Sequence, residues 1–157
     1  MDAQHLYRIV LIDDSRMARL GLREQLNRTA EFRIVGEAAS MAEGLELIER
    51  LNPDLVLLDI SLPDGSGVQA CCRLVAGRPD TRVLILSVYD DPAVIREAIA
   101  AGAQGYVLKD TPVAMWRNAM RRSETPTARA ASTKSCSRSD RNRERTRRDT
   151  PIQLNRP

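Results

Sequence analysis

The segment of residues 55–67 constrains the fold more than any other part of the chain. Its first four residues, Leu55–Leu58, form an unbroken apolar run, and the residues that follow are rich in proline and glycine. A short apolar run without polar alternation, bounded by turn residues, predicts a strand that is buried on both faces of a parallel sheet. Asp59 follows this run directly, which predicts a carboxylate at the carboxyl end of a central strand, where open α/β sheets place their ligand crevice. In isolation, Asp59 is equally well explained as a solvated loop residue or a helix cap.

The rest of the sequence helps to decide between these explanations of Asp59, because a predicted strand followed by a predicted helix recurs five times. The predicted strands are Tyr7–Ile12, Phe32–Ala38, Leu55–Leu58, Val83–Leu86 and Gly105–Leu108. The helices that follow them are predicted to begin near Ser15, Ser40, Ser66, Pro92 and Pro112. Such alternation predicts an α/β fold with right-handed crossovers. We expect a flavodoxin-like (βα)5 doubly wound parallel sheet with strand order 2-1-3-4-5.

Apolar spacing predicts which helix residues face the core. In the first helix these residues are Met17, Leu20, Leu22 and Leu26. In the second they are Leu45, Leu47, Ile48 and Leu51. In the last helix, Met115 and Trp116 are expected to be partly buried packing residues.

Charge and composition divide the chain near residue 122. Residues 1–122 carry 15 lysines and arginines against 17 acidic residues, whereas residues 123–157 carry 9 against 4. The second segment is rich in arginine, serine and threonine and has few large apolar residues, so we expect a disordered basic tail after one globular domain. No apolar run reaches the ~18 residues of a membrane span, and no signal peptide is evident. The sequence therefore predicts a cytoplasmic protein.

Polar residues follow four of the five predicted strands, and these strand ends share one edge of a parallel sheet. Asp13 and Asp14 follow the first strand, Asp59 the third, Ser87 the fourth and Lys109 the fifth. Three converging carboxylates repel one another, which raises their proton affinity or recruits a cation. Because carboxylates are hard ligands and no histidine or cysteine is expected nearby, the sequence predicts a Mg²⁺ site, with Mn²⁺ as the alternative ion.

This set of groups suits phosphoryl chemistry. A divalent cation and a lysine neutralise the charge of a phosphoryl group, and an ionised carboxylate such as Asp59 can itself be the nucleophile that forms an acyl phosphate. Ser87 can donate a hydrogen bond to a phosphoryl oxygen, although a turn or helix cap also explains this serine. His5, the single histidine, is expected at a solvated terminus, so histidine phosphotransfer by this chain is not expected.

Together these residues resemble the CheY-like receiver domain of bacterial two-component response regulators. The matching motifs are Asp13-Asp14, Leu57-Leu58-Asp59 with Leu62-Pro63 and Gly67, Ser87, and the segment Ala101–Lys109. The resemblance covers about residues 6–122. The Gly-Tyr-Val-Leu-Lys-Asp sequence of residues 105–110 is similar to the NarL/FixJ (LuxR-type) subfamily.

The resemblance implies a role for each matching residue. Asp59 would accept a phosphoryl group from a phosphohistidine of a sensor histidine kinase. The implied ligands of Mg²⁺ are Asp13, Asp14, Asp59 and the backbone carbonyl of Ser61. The residues implied to bind the phosphate or to switch are Ser87, Tyr106 and Lys109, with Tyr106 changing rotamer as Ser87 moves. A packing role in the core is the alternative for Tyr106.

Two classes of function remain open. The first is a phosphoryl-operated switch that acts through a homodimer or an output protein, using the last two helices, about Pro92–Ala101 and Pro112–Arg122. The second is a NarL/LuxR-type DNA-binding transcriptional regulator, truncated because residues 123–157 are too short and too polar for a helix-turn-helix domain. The arginines of this tail could still contact nucleic-acid phosphates without reading bases. An enzyme is not expected, since aspartyl-phosphate phosphatases have a second aspartate where this chain has Ser61.

Overall fold

A five-stranded parallel sheet lies at the centre of the computed structural model, which describes residues 5–121. The strands of this sheet are β1 (Tyr7–Ile12), β2 (Phe32–Ala38), β3 (Leu55–Asp59), β6 (Arg82–Ser87) and β7 (Gly105–Leu108). Their order is β2-β1-β3-β6-β7, and all four pairings are parallel. Two short strands, β4 (Ser61–Leu62) and β5 (Gly65–Ser66), form a separate antiparallel ladder. Counted within the main sheet alone, the order is 2-1-3-4-5, which confirms the predicted topology.

Five helices cover the two faces of the sheet. They are α1 (Arg16–Asn27), α2 (Met41–Leu51), α3 (Gly67–Gly77), α4 (Pro92–Ala100) and α5 (Val113–Arg121). None of the helices in residues 5–121 combines the length and apolar character that crossing a bilayer requires. The predicted disordered tail, residues 123–157, lies outside the described residues.

The strands separate two aliphatic cores. Ile9 and Leu11 of β1 pack with residues of α1 and α5 on one face, and Val10 and Ile12 pack with residues of α2, α3 and α4 on the other. All five residues of β3 are buried. This explains the unbroken apolar run, because a central strand covered on both faces has no side on which a polar residue would meet water.

The helix faces differ from the prediction at three positions. Leu22 and Leu26 of α1 are buried, but Met17 is 78% exposed and Leu20 is 39% exposed. At about 100° per residue, Met17 and Leu20 lie about 140–160° around the helix from Leu22, so they face away from the sheet. In α2, Ile48 is buried with Leu47 and Leu51 packed against it, whereas Leu45 is exposed.

The burial of Met115 and Trp116 in the last helix also differs from the prediction. Trp116 is fully buried, and its indole Nε1 donates a hydrogen bond of 3.1 Å to the carbonyl of Thr111. Met115 is exposed, so the expectation of partial burial is wrong for this residue. The single tryptophan therefore anchors α5 both to the loop that precedes it and to the core.

Candidate functional site

Three carboxylates meet at the carboxyl edge of the sheet. Because β1 and β3 are neighbours, with Ile12 opposite Leu58, the residues that follow them emerge side by side. Oxygen atoms of Asp13, Asp14 and Asp59 all lie within 4.8 Å of one another. Asp13 and Asp59 are buried and Asp14 is exposed. The sequence prediction that these three residues converge is therefore confirmed.

Lys109 closes the site from the other side. It follows β7, and its backbone N–H donates to the carbonyl of Ser87 at the end of β6. Its Nζ lies 2.7 Å from Oδ2 of Asp13 and 3.0 Å from Oδ2 of Asp59. One ammonium thus bridges two buried carboxylates, and the cluster still carries an excess of negative charge.

The surroundings shift the ionisation of two of these groups. Burial raises the pKa of Asp59, and the charge of Asp13 adds to this, while hydrogen bonds from the Ser61 amide and from Lys109 act in the opposite direction. For Lys109, burial acts to lower the pKa, but hydrogen bonds and charge attraction from Asp13 and Asp59 outweigh it, so the pKa is raised. A further positive charge at this edge would relieve the remaining repulsion between the carboxylates.

The loop between β1 and α1 fixes Asp13 by hydrogen bonds at several atoms. The amide of Asp13 continues the sheet by donating to the carbonyl of Ala38, at 3.0 Å. The amide of Ser15 donates to Oδ1 of Asp13, at 2.9 Å. The guanidinium of Arg19, one turn into α1, donates to the backbone carbonyl of Asp13, at 2.7 Å. No sequence pattern singles out Arg19, since an arginine in a helix is usually a surface residue.

The loop after Asp59 is held just as closely. The Ser61 amide donates to Oδ1 of Asp59 at 3.1 Å, and the Ile60 amide donates to the carbonyl of Leu86. Gly67 donates to the carbonyl of Ile60 at 2.9 Å, which brings the start of α3 against the end of β3. Ser61 therefore stands beside Asp59 as predicted, and its role as a carbonyl ligand stays a prediction.

Asp64 has a structural role that the sequence did not show. It lies in the turn between β4 and β5, and its two carboxylate oxygens accept hydrogen bonds of 2.9 Å from the amides of Met41 and Ala42 at the start of α2. These two bonds lower its pKa. Because this contact spans more than twenty residues, the local sequence gives no signal for it.

Ser87 and Tyr106 hold the same backbone segment. Ser87 is fully buried, and its Oγ accepts a hydrogen bond of 2.9 Å from the Tyr89 amide. The hydroxyl of Tyr106 donates to the Tyr89 carbonyl at 2.7 Å. The ring of Tyr106 packs partly buried against one core. The loop between β6 and α4 is thus fixed to both residues, and their switching roles stay predictions.

The donor set fits a hard divalent cation. Within residues 5–121, the one group of three or more candidate metal ligands is Asp13, Asp14 and Asp59, all with oxygen donors. Asp14 is exposed and forms no ion pair with the described residues, so its carboxylate is available to an incoming ion. Carboxylate oxygens with room for water are the environment that Mg²⁺ prefers, and Mn²⁺ accepts the same ligands.

Comparisons with known proteins agree with this geometry. Residues 9–121 match the family model described as the response regulator receiver domain. The chain is 41% identical over 105 residues to the DNA-binding transcriptional activator DevR/DosR of Mycobacterium tuberculosis, covering 67% of this chain and 48% of that protein. It is 36% identical over 110 residues to the nitrate/nitrite response regulator protein NarL of Escherichia coli K12, covering 70% and 51%.

A solved structure gives the same result for the fold. The chain superposes on a LuxR-family two-component response regulator from Aurantimonas sp. SI85-9A1 with a TM-score of 0.69 and 29% identity, covering 83% of this chain and 97% of that one. The chain spans about half the length of the curated relatives it matches.

Proposed function

The chain belongs to the response regulator receiver family of two-component systems, and we propose that it is a switch operated by phosphorylation of Asp59. The observation that carries this proposal is the Lys109 ammonium bridging Asp13 and Asp59 beside a third carboxylate. Such an edge offers a nucleophile, a cation site and a fixed positive charge within one small volume.

The chemistry follows from the charges of this edge. A carboxylate oxygen of Asp59 would attack the phosphorus of a phosphohistidine; the P–O bond forms as the P–N bond breaks, and the imidazole leaves with its electron pair. No general base is required, because an ionised carboxylate has no proton to lose. Lys109 would exchange part of its contact with Asp59 for the phosphoryl oxygens. Beyond phosphorylation and dephosphorylation of Asp59, we propose no enzyme activity.

Asp13, Asp14, Asp59 and the carbonyl of Ser61 would hold Mg²⁺, or Mn²⁺ in its place. The bound ion supplies charge neutralisation for the phosphoryl oxygens. The Asp13 and Asp59 carboxylates are already aligned by hydrogen bonds from the amides of Ser15 and Ser61. Preorganised ligands reduce the reorganisation needed when the cation and phosphoryl group arrive.

Readout of the phosphoryl group would pass through Ser87 and Tyr106. The hydroxyl of Ser87 accepts a hydrogen bond from the Tyr89 amide, so its own proton remains available to a phosphoryl oxygen. Movement of Ser87 toward the phosphate would pull on the loop that Tyr106 also holds. A shift of this kind needs a differential stabilisation of ~1–3 kcal/mol, which is common for allosteric couplings.

Partners of two kinds are proposed, and both would act in the cytoplasm. A sensor histidine kinase would approach the acidic edge, near which α1 begins and β6 ends; Met17 at the start of α1 and Tyr89 after β6 are both exposed. A second copy of the chain or an output protein would use α4 and α5, where Ile99 and Met115 are exposed.

A phosphodonor assay tests the proposal. The full chain is incubated with acetyl phosphate or phosphoramidate and Mg²⁺, and its intact mass is measured. We expect a gain of one phosphoryl group that is lost with EDTA and lost in Asp59→Asn. Labelling of Asp59→Asn at the wild-type rate would refute the assignment of the site.

The relatives favour a second candidate, a DNA-binding transcriptional regulator. DevR/DosR is named as a DNA-binding transcriptional activator, and residues 123–157 of this chain have a net charge of +5 from 9 basic and 4 acidic residues. A gel shift at low and high salt, comparing residues 1–157 with 1–122, separates the two. Shifts that need residues 123–157 and vanish with salt would indicate nonspecific phosphate contacts. The absence of any shift at low salt would exclude DNA binding by this chain.

A further inference from the structure

The peptide between Asp13 and Asp14 depends on a side chain outside the acidic cluster. β1 ends at Ile12, so the carbonyl of Asp13 has no place in the sheet ladder, although its amide still donates to Ala38. Nη1 of Arg19 donates to this carbonyl at 2.7 Å. Because a peptide unit is planar, fixing the Asp13 carbonyl also fixes the amide of Asp14 and the direction in which the chain leaves it.

The guanidinium is itself held in place. Its side chain is 17% exposed, and Nε lies 3.8 Å from Oε2 of Glu37 on the neighbouring strand β2. Glu37 also faces Arg23, one turn further along α1, at 3.6 Å. Arg19 therefore connects α1, β2 and the metal-ligand loop, whereas Arg23, which is 50% exposed, has Glu37 as its single ion-pair partner within residues 5–121.

We propose that Arg19 is a positioning residue for the cation site and that it acts by fixing the Asp13–Asp14 peptide. This inference rests on the proposed function, since it concerns affinity for Mg²⁺ at that edge. The position of the Asp14 carboxylate depends most on this fixed peptide. Its exposed carboxylate forms no ion pair with the described residues, so the backbone alone directs it toward Asp13 and Asp59.

Charge alone makes the opposite prediction. A guanidinium close to a cation site repels the cation, so removal of its charge would tighten Mg²⁺ binding if electrostatics were the whole effect. Positioning predicts weaker binding, because outer residues that orient metal ligands typically change metal affinity 10–100-fold when they are replaced. The sign of the change in affinity therefore separates the two explanations.

The experiment is a calorimetric Mg²⁺ titration of the full chain in four forms: wild type, Arg19→Gln, Arg19→Lys and Arg23→Gln. We expect Arg19→Gln to raise the Kd for Mg²⁺ about tenfold. The Kd of Arg19→Lys should lie between those of wild type and Arg19→Gln, because lysine keeps a donor and a positive charge but lacks the planar guanidinium. Arg23→Gln is the control, because it removes a positive charge that lies on the same helix and faces the same Glu37. Its Kd for Mg²⁺ should stay within about twofold of wild type.

Each outcome decides the proposal. A wild-type or tighter Kd in Arg19→Gln would overturn it, even if thermal unfolding showed a loss of stability. If circular dichroism shows that Arg19→Gln does not fold, Arg19→Lys decides, and a Kd equal to that of wild type contradicts the inference. A wild-type chain that binds no Mg²⁺ would contradict the proposed function first, whereas binding by wild type and Arg19→Gln alike would contradict only the role of Arg19.

Discussion

Replacement of Gly67 by alanine should damage both the fold and the phosphoacceptor. A Cβ atom at this position would lie 2.2 Å from the carbonyl oxygen of Asp59 and 2.8 Å from the Cα atom of Ile60. Carbon atoms pack best at ~3.5–4.0 Å, so the start of α3 and the end of β3 would have to separate by about 1 Å. Both neighbours are backbone atoms, and no side-chain rotation can relieve the overlap.

The size of this overlap sets the expected loss of stability and of reaction rate. Overpacking of this kind costs about 1–3 kcal/mol of the free energy of unfolding, and separation of the two elements would also stretch the hydrogen bond from Gly67 to Ile60. A displacement of about 1 Å at a reacting group can reduce a rate about 100-fold. We therefore expect Gly67→Ala to be less stable in urea unfolding and to react about 100-fold more slowly with acetyl phosphate, followed by intact mass.

Gly21→Ala is the matched control. Gly21 lies within α1, and a Cβ atom there would meet nothing within 4 Å. Alanine should stabilise this helix by about 0.5–1 kcal/mol and leave the phosphorylation rate unchanged. Wild-type stability and rate in Gly67→Ala would refute the reasoning from close contact.

Four further predictions concern the site and its supports. Asp64→Ala should cost about 1 kcal/mol at pH 7, as loss of a helix cap does; because the folded pKa of Asp64 is lowered, this difference in urea unfolding should persist down to about pH 4, the ordinary pKa of aspartate, and should be lost as the pH falls further through the lowered folded pKa. Lys109→Met leaves two buried carboxylates without their cation and should lose about 3–5 kcal/mol in EDTA, with Mg²⁺ recovering part of the loss; equal stability with and without Mg²⁺ would contradict this. Asp59→Asn should melt at a higher temperature than wild type in EDTA, because burial and repulsion penalise the charged form that it removes; a lower melting temperature would show that its ion pair with Lys109 outweighs them. Ser87→Ala should be phosphorylated like wild type but should lose the phosphorylation-induced change in hydrogen exchange of residues 88–91, and an unchanged response would exclude Ser87 as the transmitter.

The sheet and its acidic edge could be predicted because both depend on local patterns and on a single rule of topology. A central strand buried on two faces has a continuous apolar run, as in Leu55–Leu58, and parallel strands place their carboxyl ends together. Asp13, Asp59 and Lys109 therefore meet although they are far apart in the chain. Family resemblance added the roles of Ser61 and Tyr106, which no spacing rule supplies.

The remaining features depend on contacts that the sequence pattern does not encode. Met17 and Leu20 were expected in the core, but the sheet covers only the stripe of α1 that holds Leu22 and Leu26. The ladder of β4 and β5 has two residues in each strand, too few for any periodicity. The Asp64 cap and the Arg19 contact with Asp13 join separate elements through single side chains, and residues of these types are common on surfaces without such partners.

The most direct test of the central claim is to locate the phosphoryl group on the chain. After reaction with acetyl phosphate and Mg²⁺, borohydride reduction converts an acyl phosphate of aspartate into homoserine, which peptide mass spectrometry assigns to a position. The account predicts homoserine at residue 59, with none at 13 or 14 and none when Mg²⁺ is removed. Homoserine at another aspartate, or none anywhere in a folded chain that binds Mg²⁺, would contradict the claim that Asp59 is the phosphoacceptor.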